Sequence, residues 1–315
     1  MPEILTFTPN PSIDVFTTVE RVVDTRKMRC GAERRDPGGG GVNVARVIQR
    51  LGGDCTAVVM AGGQTGEMLR QLLAAEKVPT ACVGIAGHTR ESFSVLETGT
   101  GREFRFVLPG PVITGNDWQR CHDALAAFDP APRFLVLSGR LPPGAPVDGY
   151  AQLARAAAAR GTQVAIDTSG PALAAALEAG VAIVKPSVDE LRELTGQPLT
   201  DETQWCAAAR QIVRDGRARM VALTLGGRGA LLVERHRVLR APALPVKMVS
   251  AIGAGDSFLA ALVWALNRGA GTGEAFRYGM AAAAAALLSA GTGLCHKEDV
   301  ERFYRDMPSH AATLE

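Results

Sequence analysis

At 315 residues, 47% of them hydrophobic and 5% aromatic, the chain is long enough to bury a large core. Its 34 basic and 32 acidic residues are interspersed and leave a net charge of +2, so no basic stripe offers a nucleic acid or a membrane surface a partner, and any anionic ligand must be caught locally. The six cysteines are scattered with no CxxC pair, which fits a reduced cytoplasmic setting better than a disulfide framework or a zinc site; no apolar run resembles a signal peptide or a membrane span.

Ile4 to Thr8 reads as a first strand closed by Pro9-Asn10-Pro11, with Asp14 just past its end, where open α/β sheets place ligand groups. From Val42 a helical spacing of Val44, Ala45, Val47, Ile48 and Leu51 runs to Gly52-Gly53. Further strands are expected at Ala57 to Met60, Phe134 to Leu137, Val164 to Asp167, Ala182 to Val184 and Met220 to Thr224, with Ala-rich helical stretches between most of them. This alternation predicts an α/β fold on a wound, mostly parallel sheet. Segments 12–35 and 88–110 break the rhythm with alternation such as Phe104-Arg105-Phe106-Val107, which predicts a small separate sheet. Inserted between core elements, they read as the lid of a single domain spanning 1–315. An open lid sheet needs its exposed face covered, and a second subunit would do that.

Gly253-Ala254-Gly255-Asp256 precedes an apolar helical run from Leu259 to Leu266, so small residues lie where a helix begins. Free amides and the helix dipole make such a start an anion site. Asp256 would repel a phosphate unless it accepts the proton of an attacking hydroxyl; the motif alone equally fits an Asp that caps the helix. Gly38-Gly39-Gly40-Gly41 suits either close backbone approach or a flexible loop. It is neither a Walker A loop nor a dinucleotide fingerprint. Gly226-Gly227-Arg228-Gly229 fits a hairpin turn, and Lys185-Pro186-Ser187-Val188-Asp189-Glu190 fits a strand-to-helix connection with Ser187 and Glu190 as a capping box.

Together, in this order and over nearly the whole chain, these motifs resemble the ribokinase-like, or phosphofructokinase B, carbohydrate kinases, and within them the B-type bacterial 6-phosphofructokinases. Thr8-Pro9-Asn10-Pro11-Ser12-Ile13-Asp14, Pro37-Gly38-Gly39-Gly40-Gly41-Val42-Asn43 and Arg105-Phe106-Val107-Leu108-Pro109-Gly110 carry the likeness. The resemblance implies a ribokinase-like three-layer fold and ATP-dependent phosphorylation of fructose 6-phosphate to fructose 1,6-bisphosphate, a glycolytic step. Asp256 would then be the base and the amides of Gly253, Ala254 and Gly255 the anion hole. It implies that Asp14, Gly38, Gly39 and Asn43 orient the sugar, while Lys27 and Arg90 hold its phosphate with Arg29 or Arg105 near it or reaching across a dimer made by the lid sheets. ATP would lie along Lys185, Ser187, Thr224, Gly226, Gly227 and Gly229, with adenine near Met280 and Ala284. Mg²⁺ would accompany its phosphates, helped through water by Glu190. A potassium site would use oxygens around Ser250, Ile252, Ala286 and Gly291, with Ser289 nearby.

Two departures stand out. Ser187 occupies the first position of the family's Asn-x-x-Glu motif, and Arg140 stands where relatives commonly carry serine, adding a cation near the expected sugar phosphate. The nearest rivals are 1-phosphofructokinase and tagatose-6-phosphate kinase, which have lysine where this chain has Gly40. A non-catalytic sugar-phosphate sensor on the same fold is the alternative from another class, and Asp256 argues against it.

Overall fold

The computed structural model describes residues 2–307 and 312–314. In chain order the first half comprises β1 (Ile4–Thr8), β2 (Ser12–Val19), β3 (Arg34–Gly38), α1 (Gly40–Arg50), β4 (Cys55–Ala61), α2 (Gly63–Ala75), β5 (Thr80–Gly84), β6 (Arg90–Glu97), β7 (Arg102–Val107), α3 (Gly115–Ala126) and β8 (Phe134–Ser138). The second half adds α4 (Gly149–Ala159), β9 (Gln163–Asp167), α5 (Gly170–Ala179), β10 (Val181–Val184), α6 (Val188–Thr195), α7 (Glu202–Arg214) and β11 (Ala218–Thr224). It continues with β12 (Ala230–Val233), β13 (Val238–Ala241), α8 (Ala254–Asn267), α9 (Thr272–Ala286), α10 (Lys297–Asp306) and β14 (Ala312–Leu314).

Ten strands form one sheet in the order β14-β13-β12-β11-β10-β9-β8-β1-β4-β5. From β5 to β11 every pairing is parallel, whereas β12, β13 and β14 continue antiparallel at one edge. The antiparallel edge departs from a uniformly wound sheet, because a run such as Ala230-Leu231-Leu232-Val233 encodes burial but not direction. Strand residues alternate between faces with period two: Ile4, Ala57, Val59 and Val136 join one apolar core, and Leu5, Phe7, Val58, Leu135 and Leu137 the other. Helices α1, α2, α8, α9 and α10 contribute to the first core and α3 to α7 to the second, which gives three layers. Helix α8 is buried along almost its whole length, which is why its sequence is apolar on all sides rather than striped.

The two β-rich segments form a separate four-stranded sheet in the order β3-β2-β6-β7. The chain proceeds from β1 to β4 and β5 in one direction across the main sheet and from β8 to β11 in the other. The carboxyl ends of β1 and β8 therefore flank the switch point, and the lid sheet lies over that end of the main sheet, the crevice where open α/β sheets bind ligands.

Candidate active site

Two clefts lie side by side at the carboxyl ends of the strands. The smaller, about 290 Å³, is polar and holds Asp14, Gly39, Asn43, Arg90, Arg105, Arg140, Asp167, Glu190, Gly253 and Asp256 on its walls. The larger, about 870 Å³, is lined by Ser187, Thr224, Gly226, Gly227, Gly229, Ala254, Gly255, Met280 and Ala284. They meet at two helix starts: α6 presents Ser187 to one cleft and Glu190 to the other, and α8 presents Ala254 and Gly255 to one and Gly253 and Asp256 to the other.

Gly253 caps α8 in the left-handed region at φ 74°, where glycine carries no Cβ penalty, and a Cβ there would sit 2.4 Å from Leu294. Asp256 makes no cap. Its Oδ2 instead accepts a 2.8 Å hydrogen bond from the side-chain amide of Asn43 on α1, which removes the simple-cap reading of this aspartate. Burial raises its carboxyl above the ordinary value, against the pull of Asn43 and of Lys185. A base kept partly hungry for a proton suits acceptance from a hydroxyl.

The glycine run is closely packed rather than a flexible loop. Gly38 ends β3, and a Cβ there would fall 2.3 Å from the Asp14 carboxylate; at Gly40 it would fall 2.2 Å from Ser138 Oγ, inside the first turn of α1. Helix α1 thus begins two residues earlier than the hydrophobic spacing suggests, because Gly40 and Gly41 carry no side chain to register in that spacing. Asp14 lies within β2, holds Ser12 Oγ at 2.6 Å, and is raised by burial despite Ser12, Arg105 and Arg90.

Arg90, Arg105 and Arg140 converge on the polar cleft from three separate segments. Desolvation lowers Arg90 below its ordinary value; Asp14 works the other way, while Arg140 and Arg105 add to the lowering. Such crowding of guanidinium groups is relieved by a dianion. Lys27 and Arg29 are not brought here: both are exposed on the segment between β2 and β3, outside the walls of either cleft.

On the larger cleft, Ser187 and Thr224 are joined by a parallel bridge that aligns the ends of β10 and β11. Ser187 caps α6: its hydroxyl accepts from the Glu190 amide at 3.2 Å, and Glu190 Oε2 accepts from the Ser187 amide at 2.7 Å. The capping box is therefore real, and it fixes Glu190 at the boundary between the clefts. Gly226 to Arg228 form a short 3₁₀ turn between β11 and β12, consistent with the hairpin reading. Lys185 lies beneath, 3.1 Å from Asp167, with its ammonium 3.4 Å from where a Gly255 Cβ would be. Desolvation opposes its charge, but Asp167 and Glu190 more than compensate and raise it; burial pushes Asp167 up to about 7 against the attraction of Lys185. We assign the proton of this pair to lysine, because ammonium also faces Glu190 and Asp256.

Ser250 and Ile252 sit in the loop before α8, and Ala286, Ser289 and Gly291 on the end of α9 and the turn after it. The Ser250 hydroxyl donates to Glu103 at 2.8 Å and accepts from the Ile252 amide at 3.2 Å. Arg34 donates to the Ala290 carbonyl at 2.6 Å, next to Gly291. Among the described residues no cluster of three or more His, Cys, Asp or Glu side chains is arranged to hold a metal by itself.

This arrangement matches known proteins across its length. The profile of the pfkB family carbohydrate kinases matches residues 10–299. The chain belongs to that family. It is 45% identical over 303 residues to the ATP-dependent 6-phosphofructokinase isozyme 2 of Mycobacterium tuberculosis, covering 96% of this chain and 89% of that one. Identity to the isozyme 2 of Escherichia coli is 39% over 305 residues, covering 96% and 98%. The crystal structure of that Escherichia coli phosphofructokinase-2 in complex with substrates and products superposes with a TM-score of 0.93, covering 96% of this chain and 99% of that one. Other structures of the same protein are complexes with fructose-6-phosphate and with potassium. A 1-phosphofructokinase of Xanthomonas campestris is more distant, at 35% over 268 residues and 84% of each chain.

Sequence reasoning about this pfkB kinase missed Asp167, Thr168 and Ser169, which line the polar cleft, and Arg46, which is 1% exposed beneath it. Asp167 ended an expected strand, and the carboxyl end of a parallel strand was the available signal. Arg46 gave none, since an arginine on a helix is ordinarily solvated. The apolar walls of the larger cleft at Ala243, Leu244, Val246, Phe258 and Leu287 were also missed, because such residues read as core.

Proposed function

We propose that this chain is an ATP-dependent 6-phosphofructokinase that transfers the γ-phosphoryl group of ATP to the 1-hydroxyl of fructose 6-phosphate, giving fructose 1,6-bisphosphate and ADP. The observation that carries this reading is the meeting of two clefts at the start of α8, with Asp256 on the polar side. A sensor needs no buried carboxylate at the junction of two ligand sites. In the reaction the hydroxyl oxygen bonds to phosphorus, the bond to the ADP oxygen breaks, and the hydroxyl proton passes to Asp256. The amides at the start of α8 face the charge spread over the transferring group, and the buried Lys185 ammonium adds to their field.

Asp14, Gly39 and Asn43 orient the sugar, with Gly38 giving the Asp14 carboxylate its room. Arg90, Arg105 and Arg140 receive the 6-phosphate, a role supported by their convergence. Lys27 and Arg29, exposed on one chain, would join only across a dimer. The nucleotide lies along Ser187, Thr224, Gly226, Gly227 and Gly229 above Lys185, with adenine against Met280 and Ala284. Mg²⁺ would neutralise the nucleotide phosphates, with Glu190 holding one of its waters, since this cation keeps most of its hydration shell and needs few protein ligands. Because the Ser250 hydroxyl is already engaged, a potassium ion there would rest on main-chain oxygens around Ser250, Ile252, Ala286 and Gly291, near Ser289. A homodimer through the lid sheets is supported by the cross-strand pair Phe93 and Phe106, 39% and 57% exposed on the outer face of the lid. No helix among the described residues is long and apolar enough to cross a membrane, and we place the enzyme in the cytoplasm on its reduced cysteines.

Phosphorus NMR of the purified protein incubated with MgATP and fructose 6-phosphate tests this directly. The resonances of fructose 1,6-bisphosphate and ADP are expected; unchanged substrates would refute the assignment.

A further inference from the structure

Strand β7 is an edge strand of the lid, and its side chains alternate between two faces. Arg105 and Val107 line the polar cleft, so Glu103, two residues before Arg105, projects from the same face. Glu103 does not enter the cleft. It reaches the loop before α8 and accepts a 2.8 Å hydrogen bond from Ser250 Oγ, spanning 147 residues of sequence. Ser250 is 4% exposed, and its hydroxyl in turn accepts the main-chain amide of Ile252 at 3.2 Å. Ile252 immediately precedes Gly253, the left-handed residue from which α8 starts.

Stability alone gives no reason for a carboxylate at this place. Its second oxygen, Oε1, is buried with no hydrogen-bond partner among the described residues, an arrangement that costs free energy wherever it occurs. The opposite edge of the lid, β3, is tied to the main body independently: Arg34 donates to the Ala290 carbonyl at 2.6 Å, and Asp36 accepts from Thr292 Oγ1 at 3.1 Å. With β3 already anchored, Glu103 is the tie that joins the substrate-facing strand of the lid to the loop shaping the anion hole.

We propose that Glu103 is a positioning residue: through Ser250 it holds the loop from Ser250 to Gly253 in the conformation that aims the α8 amides, and so couples the placement of β7 over the sugar phosphate to the readiness of the phosphoryl-transfer site. It touches no reacting atom. Its effect therefore falls on turnover rather than on binding. The role in turnover rests on the kinase reading above; the holding of the loop does not.

Three variants separate reach from charge. Glu103→Ala removes the acceptor, Glu103→Asp keeps the charge but falls one methylene short, and Glu103→Gln keeps an acceptor oxygen at full length. Hydrogen–deuterium exchange over residues 249–254 of the ligand-free protein is expected to speed up about tenfold in the Ala and Asp variants, where the bond to Ser250 is lost, and to stay near wild type in the Gln variant, where an acceptor remains, since losing a part-buried hydrogen bond has effects of this order. In the kinase assay kcat is expected to fall about tenfold in Ala and Asp with both KM values within about twofold, and to recover in Gln. Wild-type exchange over 249–254 in both Ala and Asp would overturn the proposal, whichever sugar phosphate proves to be the substrate. Faster exchange with unchanged kcat in a turning-over enzyme would overturn the coupling to transfer. A wild type inactive on fructose 6-phosphate would instead count against the substrate assignment, leaving the exchange result to decide whether Glu103 holds the loop.

Discussion

Asn43 and Asp256 are 213 residues apart, yet the Asn43 amide donates to the Asp256 carboxylate at 2.8 Å and joins the starts of α1 and α8. The same Asn43 presents its carbonyl oxygen to Arg46 Nη1 at 3.4 Å. Arg46 also binds the carbonyls of Pro37 at 2.9 Å and Thr292 at 3.1 Å and pairs with Glu76 at 2.6 Å. The candidate base is thus oriented by a chain of polar groups, centred on the buried Arg46, reaching from the lid strand β3 to the C-terminal cap of α2.

Asp256→Asn keeps the size of the side chain and an acceptor for Asn43 but removes the base. We expect kcat to fall roughly a thousandfold or more with both KM values little changed, read in a coupled ADP assay. Because burial raises the Asp256 carboxyl, kcat of the wild type should climb with pH along an acid limb lying above the ordinary carboxylate value of 3.8. The sign for stability runs the other way. A carboxyl raised on folding stabilises below its unfolded value and loses that contribution as pH rises through the folded one, so ionised Asp256 costs stability at neutral pH. The Asn variant should therefore melt higher than wild type at pH 7.5 and lose that advantage in acid.

Arg46→Met removes a guanidinium that is 1% exposed and leaves Glu76 without its buried partner. A loss of about 3 kcal/mol in unfolding free energy is expected from denaturant titration. Desolvation would raise Glu76, but Arg46 and Arg50 outweigh it and hold the carboxyl below 4.5. The stability it supplies is complete above that value and disappears as pH falls through the folded one. The wild-type advantage over Arg46→Met should accordingly shrink in acid.

Arg140→Ser removes one guanidinium from the wall of the polar cleft. The KM for fructose 6-phosphate is expected to rise about threefold to tenfold, with kcat nearly unchanged and a shallower dependence of kcat/KM on salt, because an exposed guanidinium contributes a screened attraction. An unchanged KM and salt dependence would remove Arg140 from the phosphate site.

Much of this was legible in the residues. The strands on either side of the switch point were apolar runs bounded by glycine and proline, and Gly253-Ala254-Gly255 announced the start of α8. Other features depended on distant neighbours. Whether Gly38 to Gly41 flex or pack is decided by Asp14, Thr8 and Ser138, and nothing in the run itself names them. Asp256 was separated from a helix cap only by finding Asn43 beside it. Lys185 was expected along the nucleotide, but its pairing with Asp167 joins the ends of two strands whose order in the sheet the sequence does not state. Lys27 and Arg29 show the converse: charge suited to a phosphate, on a segment that the fold of one chain leaves in solvent.

The assignment of substrate is tested most directly by kcat/KM of the purified enzyme with MgATP against fructose 6-phosphate, fructose 1-phosphate, tagatose 6-phosphate and free fructose under one set of conditions. Fructose 6-phosphate should lead, with free fructose lowest because Arg90, Arg105 and Arg140 then lack their anion. A higher kcat/KM for fructose 1-phosphate or for tagatose 6-phosphate, or no turnover with any of the four, would contradict it.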